Sequence, residues 1–457
     1  MHLERCRIDL FQGPVLAPAR ATGLAGAFAA YAEGVDAIAS NAAAVAVRAP
    51  YSFKWFDFDL SFGVSFPAAF RNNDFDNDGK TGFTYQNFLF YNFGADAQLG
   101  PWAIGFLADF QRYDLRPADR ASDPQVNETL GRVHVVIGRS FWGGQVALGA
   151  GIRAVTLSID SSLYGSLTNQ LQMDGVAPEA GVLIRPDYEP WRLGATFRAP
   201  VDGGAAQSTD TSAVMGAPFV PPAGIFLPWE LEVGAAIQVG PRPLNPRWLD
   251  PHEQEAHERA QIDQDRAARR AAQEAELRGI ANPLRMYDRS RELSYQESFI
   301  RRDEDKRLDE AREKLLLERR ARYANWPRER ITVMMELLVS GRSPDALSLE
   351  SFFSQQAAAM VLMPETFRRS GRSISYSPRL GLEGEPVADR IQTRIGTYIE
   401  PSRFGGLARQ HFTFGFDVKL LPWGLFGLAP GQIWRIGAVT DLAPRYQNFG
   451  ISLGAWH

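Results

Sequence analysis

The chain of 457 residues has one cysteine, Cys6, and no apolar run near the ~20 residues that a membrane-spanning helix needs. The single cysteine excludes an internal disulfide framework and a cysteine metal cluster. The missing run excludes a helical membrane protein, in keeping with a mean hydropathy of -0.23. It leaves a β-barrel open, because barrel strands hide their hydrophobicity in alternation. Net charge is also small, at -4, so composition supplies no reason to expect a nucleic-acid partner. No phosphate-binding loop, dinucleotide fingerprint or HExxH occurs, and the histidines are scattered. Neither an enzyme nor a cofactor is expected. The opening MHLERCRIDLFQGPVL lacks the apolar core of a secretory signal, and the charges before Cys6 do not suit lipid attachment.

What the chain does have is aromatics (29 Phe, 13 Tyr, 10 Trp) and 41 Gly, a balance that favours strands and turns. Alternation recurs from residue 56 to the end. Phe56, Phe58, Leu60, Phe62, Val64 and Phe66 share one parity against Asp57, Asp59 and Ser61. Phe412, Phe414, Phe416 and Val418 likewise oppose His411, Thr413, Gly415 and Asp417. A period of two places the two sets on opposite faces of a sheet. Similar segments lie near 83–97, 104–113, 132–137, 145–159, 176–186, 191–198, 229–238, 331–339, 374–383, 390–399, 434–441 and 449–453.

That makes about 14 strands of roughly 10 residues, long enough to cross a bilayer at a tilt. Gaps after even-numbered strands are mostly tight (99–101, 142–144, 187–190, 384–387), whereas those after odd-numbered strands tend to be longer (67–82, 160–174, 202–228, 342–372, 401–409). Short turns at one end and long loops at the other describe an all-β, antiparallel outer-membrane barrel, with both chain ends on the turn side. A soluble β-protein with a helical arm is the competing reading, but nearly every strand carries charge on one face, which suits a lumen. Arg132, His134, Arg198, Glu230, Arg379, Arg394, His411 and Asp417 are the expected lumen-facing polar residues, and the opposite faces are expected to meet outer-membrane lipid.

Residues 250–328 break the pattern. Two charge-dense helix formers flank Asn282-Pro283, which predicts a helical hairpin on the periplasmic side with a thin stripe of Leu308, Ala311, Leu315 and Leu316. At ~1.5 Å per residue it reaches tens of Å, either as a spacer or as a handle for a periplasmic protein. The expected domains are thus 1–48, 49–249, 250–328 and 329–457. Asp74, Asp76 and Asp78 begin a D-x-D-x-D-G calcium loop, but Tyr85 stands where its closing Glu belongs, so an acidic turn is the stronger reading. Glu400, Arg403, Arg409 and His411 gather in and beside one loop and suit salt bridges that order it.

Residues 20–48 are rich in small side chains: Ala21-Thr22-Gly23-Leu24-Ala25-Gly26-Ala27-Phe28-Ala29-Ala30-Tyr31-Ala32 leads on to Asp36 and Asn41-Ala42-Ala43. This block resembles the start of the FadL-type long-chain fatty-acid transporter family and its PorV-like relatives. WRLGATFRAPV (191–201) and PWELEVGAAIQ (228–238) resemble that family's middle strands. The resemblance implies a 14-stranded barrel in the outer membrane of a Gram-negative bacterium, with an export signal missing from this chain. It also implies a hatch inside the lumen, with Phe28, Tyr31 and Asn41 as gating or ligand residues, and passage of hydrophobic small molecules such as long-chain fatty acids. Two features depart from the family: Asn41-Ala42-Ala43 stands where Asn-Pro-Ala is usual, and the charged insertion is extra. A PorV-like scaffold for a secretion or envelope complex, docking its partner through the hairpin, is the alternative function.

Overall fold

The structure, a computed structural model, describes residues 7–49, 52, 54–67, 69–70, 73–79, 89–115, 126–161, 168–204, 207–208, 222–248, 250–349, 368–422 and 433–456. It divides into two compact units. Met1–Ala49, Phe58–Arg247 and Pro327–His457 form one; Pro50–Asp57 and Trp248–Trp326 form the other.

The first unit is a closed antiparallel barrel of 14 strands. They are β1 Phe56–Ser65, β2 Leu89–Leu99, β3 Trp102–Leu115, β4 Val126–Phe141, β5 Val146–Ser161, β6 Thr168–Ile184, β7 Trp191–Arg198, β8 Glu230–Val239, β9 Ile331–Ser340, β10 Ser375–Val387, β11 Ile391–Glu400, β12 Arg409–Pro422, β13 Ile433–Ala443 and β14 Tyr446–Ala455. Each pairs with its neighbour in sequence, and β14 closes the ring on β1 through Gly454 opposite Ser61. The alternation sorts as expected. On β12, Phe412 and Phe414 are 60% and 46% exposed outside, while His411 and Asp417 are 0% and 1% exposed inside. Among the described residues, no helix is long and apolar enough to cross a membrane.

Three expectations need correction, and one tendency has an exception. The turn placed at 384–387 belongs to β10; the chain turns at 388–390, after a register shift between Gly384 and Val387. Pro386 lies in that shift, where a residue without an N–H interrupts the ladder least. The loop placed at 160–174 shrinks to 162–167, because β5 and β6 continue through Ser158, Ser161, Thr168 and Gln172. Their side chains are polar, so the hydropathy alternation fades there although the ladder continues. Between β13 and β14 only Pro444 and Arg445 intervene, so one connection at the long-loop end is itself tight.

The third correction concerns the chain's beginning. Arg7–Asp9 pairs in parallel with Gly224–Leu227 and Ala346–Ser348, segments of the connections that leave β7 and β9 at the long-loop end. At the other end of the segment, Arg48 donates to the Gly100 carbonyl (3.0 Å) in the β2–β3 turn. Residues 7–48 therefore run through the barrel from the loop end to the turn end, so the described N-terminal residues do not lie on the turn side.

The second unit is a helical hairpin, α1 (Pro251–Arg278) and α2 (Pro283–Ala324). Proline opens both helices, and Asp250 and Asn282 accept from His252 N (2.9 Å) and Leu284 N (2.9 Å) as caps. The unit also takes in residues 50–57, beyond the span expected from composition: Trp248 Nε1 donates to the Ser52 carbonyl (3.1 Å), and the Trp55 ring lies 5.2 Å from His252. Charge joins the two helices more than grease does. Glu304 bonds Arg266 (2.7 Å) and Arg269 (2.5 Å), and Glu255 bonds Arg312 (2.5 Å).

The hydrogen bond from Arg312 holds the Glu255 carboxyl below the usual carboxylate range. Burial opposes the same shift at Glu304, yet the bonds from Arg266 and Arg269 win and lower it as well. A carboxyl more acidic when folded stabilises fully above its unfolded pKa of ~4.3 and loses that contribution as pH falls through the folded value. The helical signal at 222 nm is therefore expected to melt at lower temperature at pH 3 than at pH 6, and Glu304→Gln is expected to shrink the difference. Identical melts of the parent at the two pH values would contradict this.

Candidate functional site in the barrel lumen

Residues 7–49 fill the lumen as a hatch of short turns: the helix Ala19–Gly23 and the 3-10 turns Val35–Ala37 and Ala42–Ala46. Small side chains let its backbone approach the wall, and the wall answers with glycine on its inner face. A Cβ added at Gly149 or Gly194 would collide with the carbonyls of Ala42 and Ala29, and one at Gly181 with the Asn41 side chain. At Gly381 and Gly396 the neighbours are Leu24 O (2.9 Å) and Ala25 Cβ (2.8 Å). Facing glycines are paired across strands, as at Gly149 with Gly181 and Gly381 with Gly396, so they form a socket.

Charge fixes the hatch in this socket. Glu383 on β10 bonds Arg20 of the hatch (3.3 Å), Arg330 (3.1 Å) and Arg394 (2.7 Å). Arg394 continues to Asp417 (2.8 Å), and Asp417 to Arg435 (3.2 Å), which pairs with Asp36 of the hatch. Glu336 on β9 accepts from the Phe28 and Ala29 N–H groups (2.9 and 2.7 Å) and from Arg379 (3.0 Å).

The three expected hatch residues are all buried. Phe28 meets Tyr31 edge-on at 6.2 Å, with the Arg20 guanidinium 5.2 Å from each ring. Tyr31 donates to Glu383 (2.9 Å) and accepts from Arg330 (2.9 Å). Asn41 caps the turn Ala42–Ala46 by accepting from Ala43 N (3.0 Å), and it donates to Ala29 O (2.9 Å) and to Val182 O on β6 (3.1 Å). The Asn-Ala-Ala variant thus still makes a capped turn, and that turn is tied to the wall.

The expected lumen residues are engaged as well. His134 contacts Glu179 (3.0 Å), and Arg198 bonds Glu232 (3.0 Å) and the Ala39 carbonyl. Glu230 pairs with Arg153, and Arg132 donates to the Leu10 carbonyl (2.9 Å). His411 lies between Glu400 (2.7 Å) and Asp441 (2.8 Å) and stacks on Tyr398 at 4.2 Å. Glu400 also takes Arg409 (2.6 Å), and Arg403 reaches Asp9 (3.0 Å), so the 400–411 cluster is structural. The carboxylates of Asp74, Asp76 and Asp78 come within 4.8 Å of one another, but Arg445 (3.4 Å) and Arg368 (2.6 Å) meet the first and last. Burial pushes the Asp74 carboxyl up, against the pull of Arg409. Two of the three acids therefore serve ion pairs that order the loop.

Toward the loop end the lumen changes character. Ile8 and Leu10 of the hatch pack with Phe75, Phe90, Tyr113, Leu130, Val155, Leu157, Ile159, Met173 and Leu227 in one apolar cluster. A cavity of about 20 Å³ beside it is lined by Phe11, Gln12, Phe75, Tyr113 and Leu349. Sequence reasoning missed this chamber, the glycine socket, and the partners Arg20, Asp36 and Arg330. The socket did leave a signal, glycine recurring on the inner parity of strand after strand.

No family model matches the chain, and a search of curated proteins finds no match. The chain is similar to FadL-type barrels. The toluene transporter TbuX of Ralstonia pickettii shares 11% identity at a TM-score of 0.47, over 99% of this chain and 98% of that one. The CymD monoaromatic hydrocarbon channel shares 8% at 0.48, over 96% of each chain. A Pseudomonas aeruginosa FadL homologue shares 9% at 0.48, over 98% and 99%. The closed ring described above rests on its own strand pairings, and these likenesses add no argument to it.

Socket and hatch must fit together for the barrel to close around its plug. Gly194→Val is expected to cost about 1–3 kcal/mol by overpacking and to lower both the yield of heat-modifiable barrel and its melting temperature. Gly204→Ala, whose Cβ meets nothing within 4 Å, serves as the control. Equal melting of the two variants would contradict the socket.

Proposed function

We propose that the protein is a channel for hydrophobic small molecules in the outer membrane of a Gram-negative bacterium. The observation that carries this reading is the apolar chamber at the loop end of the lumen, directly followed by a hatch held through ion pairs. Such an order suits a ligand that leaves water first and meets the gate second. Burial in the chamber is worth ~0.8 kcal/mol per CH₂, and displacement of Ile8 and Leu10 by the ligand would loosen the segment that leads into the hatch. Phe28, Tyr31 and Asn41 act as gating residues in this scheme, since each joins the hatch to the wall or to itself. The apolar outer belt matches a lipid surround, and the absence of unpaired edges in a closed ring is what a spanning sheet requires.

The helical hairpin favours a second role beside transport. Tyr287 and Tyr295 on α2 are 61% and 66% exposed, aromatic area that a spacer does not need. A periplasmic protein docking there would make the barrel a scaffold of the PorV-like kind.

Uptake into liposomes separates the two readings. Protein-containing vesicles are expected to take up toluene or a fluorescent hydrophobe faster than empty ones, and deletion of 252–325 is expected to leave that flux intact while removing any co-purifying partner. Equal flux with and without protein would sink the channel reading.

A further inference from the structure

Glu128 stands apart from the other inward-facing charges. It lies on β4 opposite Tyr113 of β3 and Ile159 of β5, two residues from Leu130, and all three neighbours belong to the apolar chamber. It is 0% exposed, and neither carboxyl oxygen has a hydrogen-bond partner. The nearby phenol does not serve it, because Tyr113 donates to Gln111 (2.5 Å) and accepts from Gln12 (2.9 Å). The inward-facing arginines named at this end are committed elsewhere. Arg132 bonds the Leu10 carbonyl, Arg153 pairs with Glu230, Arg403 with Asp9 and Arg409 with Glu400.

An isolated carboxylate in apolar surroundings is costly, and native proteins rarely keep one without a reason. It is stable only with a proton on it or a cation beside it. Among the described residues no cation is bonded to it, whereas Glu179, Glu230, Glu336, Glu383 and Asp417 each have an arginine. The missing partner is then one that a ligand can carry.

Building on the channel reading above, we propose that Glu128 sets the ligand class of the chamber: it receives hydrophobic molecules bearing an amine and turns away those bearing a carboxylate. The ammonium supplies the charge-assisted hydrogen bond that both oxygens lack, while the alkyl or aryl body takes the place of Ile8 and Leu10 against Leu130, Leu157 and Ile159. A fatty-acid carboxylate in the same place would meet a second unpaired acid. Selection by repulsion of the wrong ligand is a common source of specificity.

The test uses the full chain in nanodiscs at neutral pH, with dodecylamine, dodecanoate and dodecanol as probes. Dodecylamine is expected to bind at least about ten-fold more tightly than dodecanoate, a ratio well above calorimetric error. Glu128→Gln is expected to abolish that preference, weakening dodecylamine about ten-fold while leaving dodecanol unchanged. Glu128→Leu, which keeps the chamber apolar, is expected to do the same and to melt no lower than the parent, because it removes an unsatisfied buried acid. Dodecanoate binding as tightly as dodecylamine, or a preference unaltered in both variants, would overturn the assignment. Binding of none of the three would instead overturn the channel reading on which it rests.

Discussion

Charge compensation inside a closed ring governs this structure. Fourteen strands enclose a lumen whose wall carries Glu336, Glu383, Arg394, Asp417 and Arg435, and buried charges of this kind are tolerated only when paired. The wall alone leaves the pairing incomplete. The hatch completes it, placing Arg20 against Glu383, Asp36 against Arg435, and two backbone N–H groups on Glu336. Removing one member would strand its partner at a cost of ~3–5 kcal/mol, which explains why a segment with so little regular secondary structure is held in one place.

Glycine makes those pairs possible. Ion pairs need the hatch backbone near the wall, and side chains at Gly149, Gly181 and Gly194 would hold it off. Packing and electrostatics thus depend on the same feature. The lower lumen is specific and polar; the upper lumen sets an apolar cluster around Ile8 and Leu10 beside the Arg403–Asp9 and Arg409–Glu400 pairs. A hydrophobic ligand can compete with apolar contacts above, but it offers nothing to the ion pairs below. In the proposed channel, gating begins with the residues 7–17 that join the two levels, where Val15 N donates to Tyr398 (3.1 Å) within the Asp441–His411 group.

Much of the barrel could be read from residue order, because an apolar exterior and a polar interior impose a period of two on each strand. Phe412 to Leu420 shows it well: outward phenylalanines alternate with His411 and Asp417 for the whole width of the belt. Reading failed where that contrast fails. Beyond the belt, β5 and β6 carry serine, threonine and glutamine, and their true length was hidden. The hatch was visible as a run of alanine and glycine, but which acid faces which arginine was not, since Arg20 and Glu383 stand 363 residues apart. The N-terminal strand escaped too: three residues, Arg7 to Asp9, make no pattern, and only the loops they join give them a place.

The central claim is that the hatch must leave its socket for anything to pass. Gly23 and Gly415 approach each other across that boundary, with an added Cβ on Gly415 lying 3.3 Å from the Gly23 Cα. A Gly23→Cys/Gly415→Cys pair, made in a Cys6→Ser background, can therefore be oxidised to pin the hatch to β12. Flux of a hydrophobic probe into liposomes is predicted to stop on oxidation and return on reduction. Undiminished flux through the oxidised, cross-linked protein would contradict the account.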